Sequence, residues 1–327
     1  IDGIRRHCFC RTIICRQFFV GHFDLLQRGQ SSGFVPGGYG GHRLTAIARG
    51  AHLEALQRDG LHVESVPDDN FTVPVHSLLT PESCQVFDLI LMSVKSYDIG
   101  TAIDLIRPGV GPNTTILTLL NGVESGEQIA ATYGDERVLD GVVYIESFIK
   151  TPGVISQVGG PRRAIFGNRS GPNGDRERKL LDDFLAAGWN AELADNVLGA
   201  LWAKFAYLGP NAAFNTVTNL NSGLLCRAPE TERMIRTMVT EYVAIGNAEG
   251  AELGGNTVDQ IVERLRNPMI GMTSMLRDRV NGKRIEHEAL VGSVIRRGEV
   301  AGISTPMTEL LYDLLTGIAA AGQQGSV

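Results

Sequence analysis

From residue 42 onward the apolar positions fall into two alternating rhythms. Residues 42–48 (HRLTAIA) read as a short strand, and the AHLEALQRDG that follows has the three-to-four-residue spacing of an amphipathic helix. Residues 87–94 (FDLILMSV) form an almost unbroken apolar run, the pattern of a parallel strand covered on both faces. A helix is predicted over 99–106, then strands over 114–120 (TTILTLL) and 138–145, with Pro152-Gly153 and Gly159-Gly160 marking hairpin material. Beyond residue 175 the pattern changes. A helix over 176–187 and a short strand over 191–193 lead into a chain that reads helical from Val197 to about residue 321.

This order predicts an α/β fold: a Rossmann-like, doubly wound parallel sheet domain over residues 1–194, then an all-helical domain over 195–327. Ligands are expected at the carboxyl ends of the strands and in a cleft between the domains.

Composition narrows the function classes. Of the 327 residues 43% are hydrophobic and 20% charged, ordinary values for a soluble globular chain. A formal net charge of -6 argues against a nucleic-acid partner. No apolar run approaches the roughly 18 to 20 residues that span a bilayer, and the first thirty residues lack the layout of a secretory signal, so the expected location is cytoplasmic, away from membranes. Cys8, Cys10, Cys15, Cys84 and Cys226 are odd in number and irregular in spacing, a poor disulfide framework. With His7 the first three lack the second half of a zinc site, so no metal is expected.

Two constellations carry candidate chemistry. Lys204 opens a helical stretch, and positions seven and eleven later, Asn211 and Asn215, return to its face. An ammonium followed by two amides makes a wall for a carboxylate and a carbonyl oxygen, although Pro210 interrupts the stretch and spacing alone equally fits a solvated lysine. Ser274 and Asp278, four apart, share a second helix face that ends at Asn281-Gly282, with Glu286 beyond; a charged surface face has the same spacing.

The string SMLRDRVNGKRIEHEALVGSVIRRGEVAGISTP resembles the C-terminal signature of the ketopantoate reductases (2-dehydropantoate 2-reductases). Its pieces are Ser274 to Asp278, Gly282-Lys283-Arg284, Ile285-Glu286, Gly292, the basic pair Arg296-Arg297 and Gly302 to Pro306. Trp202 and Lys204 match the family's WxK, Lys95 and Tyr97 its VKxY, and Asn121-Gly122 its LxNG, all in the family's order. The resemblance implies a helical domain like that at the C-terminus of 6-phosphogluconate dehydrogenase. It implies Lys204 as general acid, Glu286 as its catalytic partner, Ser274 and Asp278 at the substrate, and Lys95 and Asn121 at the cofactor mouth. The chemistry is sound, because hydride addition creates alkoxide charge that an ammonium stabilises and protonates. Asn121-Gly122 by itself is also a common turn pair. Arg49 stands at the end of the 42–48 strand, where an acidic residue favours NAD and an arginine holds the 2′-phosphate of NADPH. NADPH is therefore the expected cofactor and a small 2-oxo acid the expected substrate.

Two stretches depart from the family pattern. Residues 1–36 show no strand, GxGxxG and helix ahead of the 42–48 strand. Either they derive from a shifted reading frame or they form a divergent start that uses Gly37, Gly38 and the glycines up to Gly41 as a phosphate loop. Four and eight residues after Lys204, where well-known members carry asparagines, stand Leu208 and Ala212. The leading expectation is reduction of 2-dehydropantoate to pantoate on the way to pantothenate. The alternatives are a paralogous reductase of another small 2-oxo acid and a non-catalytic dinucleotide-fold protein. The apolar face of Ala289, Leu290, Val294 and Ile295 is expected to pack within the chain or in a homodimer.

Overall fold

The computed structural model describes residues 9–15, 38–39, 42–66, 70–82, 86–268 and 272–323. They group into two compact units, one reaching to Leu120 and taking in Ser125–Val197, the other made of Asn121–Glu124 and the chain from Leu198 on.

The first unit is a sheet with eleven described strands: β1 (Phe9–Cys15), β2 (Gly38–Tyr39), β3 (His42–Ile47), β4 (Leu61–Ser65), β5 (Phe71–Val73), β6 (His76–Leu78), β7 (Leu89–Ser93), β8 (Thr115–Thr118), β9 (Val138–Thr151), β10 (Val154–Asn168) and β11 (Asn190–Leu193). Its parallel part runs β6-β3-β1-β7-β8-β9. That is the order of a dinucleotide-binding sheet, with the reversal of winding between β1 and β7. Helices Gly50–Asp59, Ile99–Ile106 and Ser125–Tyr133 supply crossovers between its strands. The apolar run of β7 splits between two cores, as the period-two alternation of a strand requires. Leu89 and Leu91 pack with Leu117 and Phe184 on one face. Ile90 and Met92 pack with Ile103, Ile106 and Ile116 on the other.

Two findings differ from the sequence reading. Phe9–Cys15 forms the central parallel strand, in register with both β3 and β7, where no strand was expected. Its Cys10, Thr12, Ile13, Ile14 and Cys15 are strand-compatible residues, since cysteine behaves as a small hydrophobe, and Arg11 disguises the run. Gly38 pairs with Arg43 in an antiparallel two-residue strand beside β3. It is therefore not part of a loop opening a helix, the geometry that phosphate binding by backbone N–H groups needs. Gly37 lies outside the described residues.

The second unit contains helices Val197–Thr218, Ser222–Leu225, Pro229–Ala248, Thr257–Arg266, Ser274–Val280, Ser293–Ala301 and Pro306–Gln323, with a π-turn over Glu288–Gly292. Pro210 does not end the first of these, which runs through it. Two glycines let that helix approach Pro229–Ala248 closely: a Cβ on Gly209 would collide with the Tyr242 ring, and one on Gly246 would lie 2.9 Å from the Trp202 indole. Leu290 and Val294 are buried within the chain itself, so much of the apolar face noted in the sequence is covered internally.

Candidate active site

Lys204 sits on helix Val197–Thr218, flanked by the fully buried Trp202 and Phe205. As a residue Lys204 is partly exposed, but its ammonium is buried, and that desolvation pulls its pKa from the ordinary 10.5 down to about 8. Lys204 Nζ donates a hydrogen bond to Asn121 Oδ1 at 2.9 Å. Asn121 belongs to the short segment that follows β8 in sequence but groups with the helical unit. The adjacent Gly122 has φ +93°, so Asn121-Gly122 is a genuine glycine turn as well as the lysine's partner. The turn reading of the pair therefore holds, and the bond to Lys204 is a role the sequence did not assign to Asn121.

The two asparagines after Lys204 have different fates. Asn215 is buried, and its carboxamide is engaged by the protein: Oδ1 accepts from Thr273 N–H at 2.9 Å and Thr273 Oγ1 at 2.8 Å, while Nδ2 donates to Leu220 O at 2.8 Å. Thr273 is the N-cap of helix Ser274–Val280, its hydroxyl accepting from Leu276 N–H. Arg279 donates a second tie, to Thr216 O. Asn215 thus fixes the start of the Ser274 helix to the lysine helix. Thr273, absent from the sequence reading, is the link; a threonine before SMLRD is the N-cap signal that could have revealed it. Asn211 is also buried and lies between Lys204 and Asn215 on the same helix face.

Ser274 is half-buried at the first position of its helix, and Asp278 is buried one turn on. The backbone carbonyl of Asp278 accepts from Lys283 N–H at 2.8 Å, closing a turn in which Gly282 has φ +64°. Glu286 is buried just ahead of the π-turn, and its carbonyl accepts from Leu290 N–H at 3.0 Å. Such turns are frequent at functional sites. Here Leu290 O is satisfied by the Tyr242 hydroxyl at 2.6 Å. A cleft of about 480 Å³ in the same unit, lined by Ala203, Tyr207, Gln260 and Arg264 among others, takes in none of Lys204, Ser274 and Glu286.

In the sheet unit the candidate cofactor residues stand at carboxyl ends of parallel strands. Arg49 follows β3 and caps helix Gly50–Asp59; its guanidinium is about half exposed and lies 3.6 Å from the Asp98 carboxylate. Lys95 follows β7 and is buried. A strand order with this reversal point fits a dinucleotide cofactor. Among the described residues there is no cluster of metal-ligating side chains, and no helix is long and apolar enough to cross a membrane.

Comparison with known proteins points the same way. The family model described as ketopantoate reductase PanE/ApbA matches residues 38–171, and its C-terminal counterpart matches residues 196–319. A 2-dehydropantoate 2-reductase of Mesorhizobium japonicum is 29% identical over 299 residues, covering 84% of this chain and 90% of its own length. The crystal structure of 2-dehydropantoate 2-reductase from Geobacter metallireducens is 27% identical with a TM-score of 0.84, covering 94% of this chain and 99% of that one. A PanE/ApbA family ketopantoate reductase from Ralstonia eutropha is 28% identical with a TM-score of 0.82, covering 96% and 99%. With a dinucleotide-type sheet, a buried-lysine helical unit and family matches over both, the chain belongs to the ketopantoate reductase family and is an oxidoreductase of that type.

Proposed function

We propose that this chain reduces 2-dehydropantoate to pantoate, a step toward pantothenate, with NADPH as the reductant and Lys204 as the general acid. The observation that carries the reading is Lys204 itself. Its ammonium is lowered to about 8 and held 2.9 Å from Asn121 Oδ1. A general acid works best when its pKa lies near the operating pH. The reduced nicotinamide, when bound, supplies the hydride for the C2 carbonyl carbon. Lys204 stabilises the negative charge that grows on the carbonyl oxygen and delivers the proton that makes it a hydroxyl. Ser274 and the buried Asn211 offer a hydroxyl and an amide for the substrate carboxylate, and Glu286 orients the lysine and a substrate hydroxyl. Asp278 supports Ser274 from one turn further along the same helix. Arg49 would hold the 2′-phosphate, with Lys95 and Asn121 at the mouth of the cofactor site.

A second reading rests on Leu208 and Ala212, which stand where the family's amides are expected. It keeps the mechanism and gives the site a different small 2-oxo acid. One experiment separates the two: NADPH oxidation followed against a panel of 2-oxo acids that includes 2-dehydropantoate. The leading reading expects the highest kcat/KM for 2-dehydropantoate. A higher value for another acid replaces the substrate, and no turnover on any acid overturns both.

A further inference from the structure

Neighbouring residues on an α-helix point about 100° apart. Arg296 and Arg297 on helix Ser293–Ala301 use that divergence to reach two different elements. Arg297 Nη1 donates to Glu249 Oε1 at 2.6 Å, and the other oxygen, Oε2, accepts from the Trp202 indole Nε1 at 3.1 Å. Glu249 caps the C-terminal end of helix Pro229–Ala248, where the helix dipole disfavours a carboxylate, so the guanidinium also neutralises an awkward charge. Trp202 is fully buried, two residues before Lys204, and packs on the Phe205 ring at 5.4 Å between centroids. In the other direction Arg296 Nη2 lies 3.4 Å from both carboxylate oxygens of Glu124, three residues after Asn121. Its Nη1 lies 3.4 Å from Glu288 Oε2, and the other oxygen of Glu288 accepts from the Tyr312 hydroxyl at 2.6 Å.

We propose that Arg296 and Arg297 are a pair of positioning residues that bracket the lysine. Arg297, through Glu249 and Trp202, fixes the helix that carries Lys204. Arg296, through Glu124, fixes the segment that carries Asn121. Together they hold Lys204 Nζ against Asn121 Oδ1. An exposed ion pair such as Arg296 with Glu124 contributes little to stability, so its consequence is geometric. Misplacing a reacting group by about 1 Å can cost on the order of a hundredfold in rate.

The inference rests on the general-acid role of Lys204, but its test needs neither substrate nor cofactor. In the full-length, cofactor-free protein, acetic anhydride labelling of Lys204 is measured against pH by peptide mapping, giving the midpoint at which the amine becomes reactive. Losing the Asn121 oxygen removes a hydrogen bond that favours the ammonium. The midpoint is therefore expected to fall by about one pH unit in Arg296→Leu and in Arg297→Leu. Because Arg296 acts through Glu124, the double variant Arg296→Leu/Glu124→Gln is expected to match Arg296→Leu alone. Should Arg297→Leu fail to fold, Glu249→Gln keeps the side chain's size, sets an amide N–H group against one of the two donors Arg297 and Trp202, and is expected to lower the midpoint in the same direction. In turnover, Arg296→Leu is expected to lower kcat about tenfold with KM changed less than about twofold, and Arg296→Lys to recover part of it. A wild-type midpoint in Arg296→Leu, or additive shifts in the double variant, would overturn the proposal. A wild-type protein inactive on every 2-oxo acid would instead fail the functional reading and leave the labelling result standing.

Discussion

The two units place their candidate chemistry by different means. In the sheet unit, Arg49 and Lys95 are where they are because strands β3 and β7 end there, and backbone pairing fixes both strands. In the helical unit the side chains fix one another. Lys204 reaches Asn121, and Asn215 holds Thr273 ahead of Ser274. A strand end is placed by the backbone pairing of its ladder, so exchange of the side chain that follows it leaves its place in the sheet unchanged. A cross-helix network does not tolerate such exchange, because each member satisfies a buried polar group of another. Substitutions in the sheet unit should therefore change ligand preference cleanly, whereas those in the helical unit should mix rate, affinity and stability. Lys204 is the instructive exception within its network: it takes part in the ties, yet its charge is disfavoured by burial.

Lys204→Ala tests that exception and should show the largest effect. A lost general acid costs at least about a hundredfold in kcat. The variant should unfold no more easily than the wild type, since a disfavoured buried charge has been removed. Lys204→Arg should not restore turnover, because a guanidinium does not release its proton in this range. Near-normal kcat in Lys204→Ala would end the assignment. The pH profile gives the same group a sign. Reduction needs the ammonium, which is present below about 8 and lost above it, so kcat/KM for reduction should fall as pH rises through about 8. Oxidation of the hydroxy acid needs the neutral amine and should rise through the same region. A reduction profile flat to pH 10 would contradict the assignment.

Next in size are two substitutions that set the units against each other. Arg49→Ala should raise KM for NADPH by about tenfold, as loss of a charge-assisted contact to phosphate requires, with KM for NADH and the unfolding midpoint little changed. Equal effects on both cofactors would remove Arg49 from the 2′-phosphate. Asn215→Ala should do the opposite. It strands the buried N–H of Thr273 and should destabilise the fold by about 1 to 3 kcal/mol in urea unfolding, while raising KM for the 2-oxo acid through the displaced Ser274. A wild-type unfolding midpoint in Asn215→Ala would show that the tie is not structural.

The same contrast explains which parts could be read from the chain. Helix 99–106 was legible to the residue, because Ile99, Ala102, Ile103 and Ile106 fall at helical spacing and all four are buried. Strand β7 was legible because both its faces are covered. Strand β4 was not: LHVES alternates cleanly in burial but is too short to stand out beside the polar residues that follow it. Strand β1 was hidden by an arginine and two cysteines within seven residues. At the site, spacing put Asn211 and Asn215 on the lysine's face but could not tell an amide open to a ligand from one engaged by Thr273, 58 residues away. The bonds from Glu249 to Trp202 and from Glu124 to Arg296 are equally non-local, and no period in the sequence encodes them.

The smallest expected effect probes the sheet unit alone. The carboxylate of Asp98 lies 3.6 Å from the Arg49 guanidinium, which is about half exposed. A 2′-phosphate arriving at Arg49 would compete with that carboxylate and be repelled by it. Asp98→Asn removes both the competition and the repulsion while keeping the side chain's size. An exposed pair of this kind is worth at most about 1 kcal/mol, so the gain is capped at roughly fivefold. KM for NADPH should fall by no more than that, the effect should shrink as salt is raised, and kcat should stay where it was. In the background of Arg49→Ala the same substitution should leave only the residual repulsion, a smaller change. If Asp98→Asn improves NADPH binding equally with and without Arg49, the two residues do not act on the phosphate as a pair, and the strand end is less independent of its surroundings than β3 makes it look.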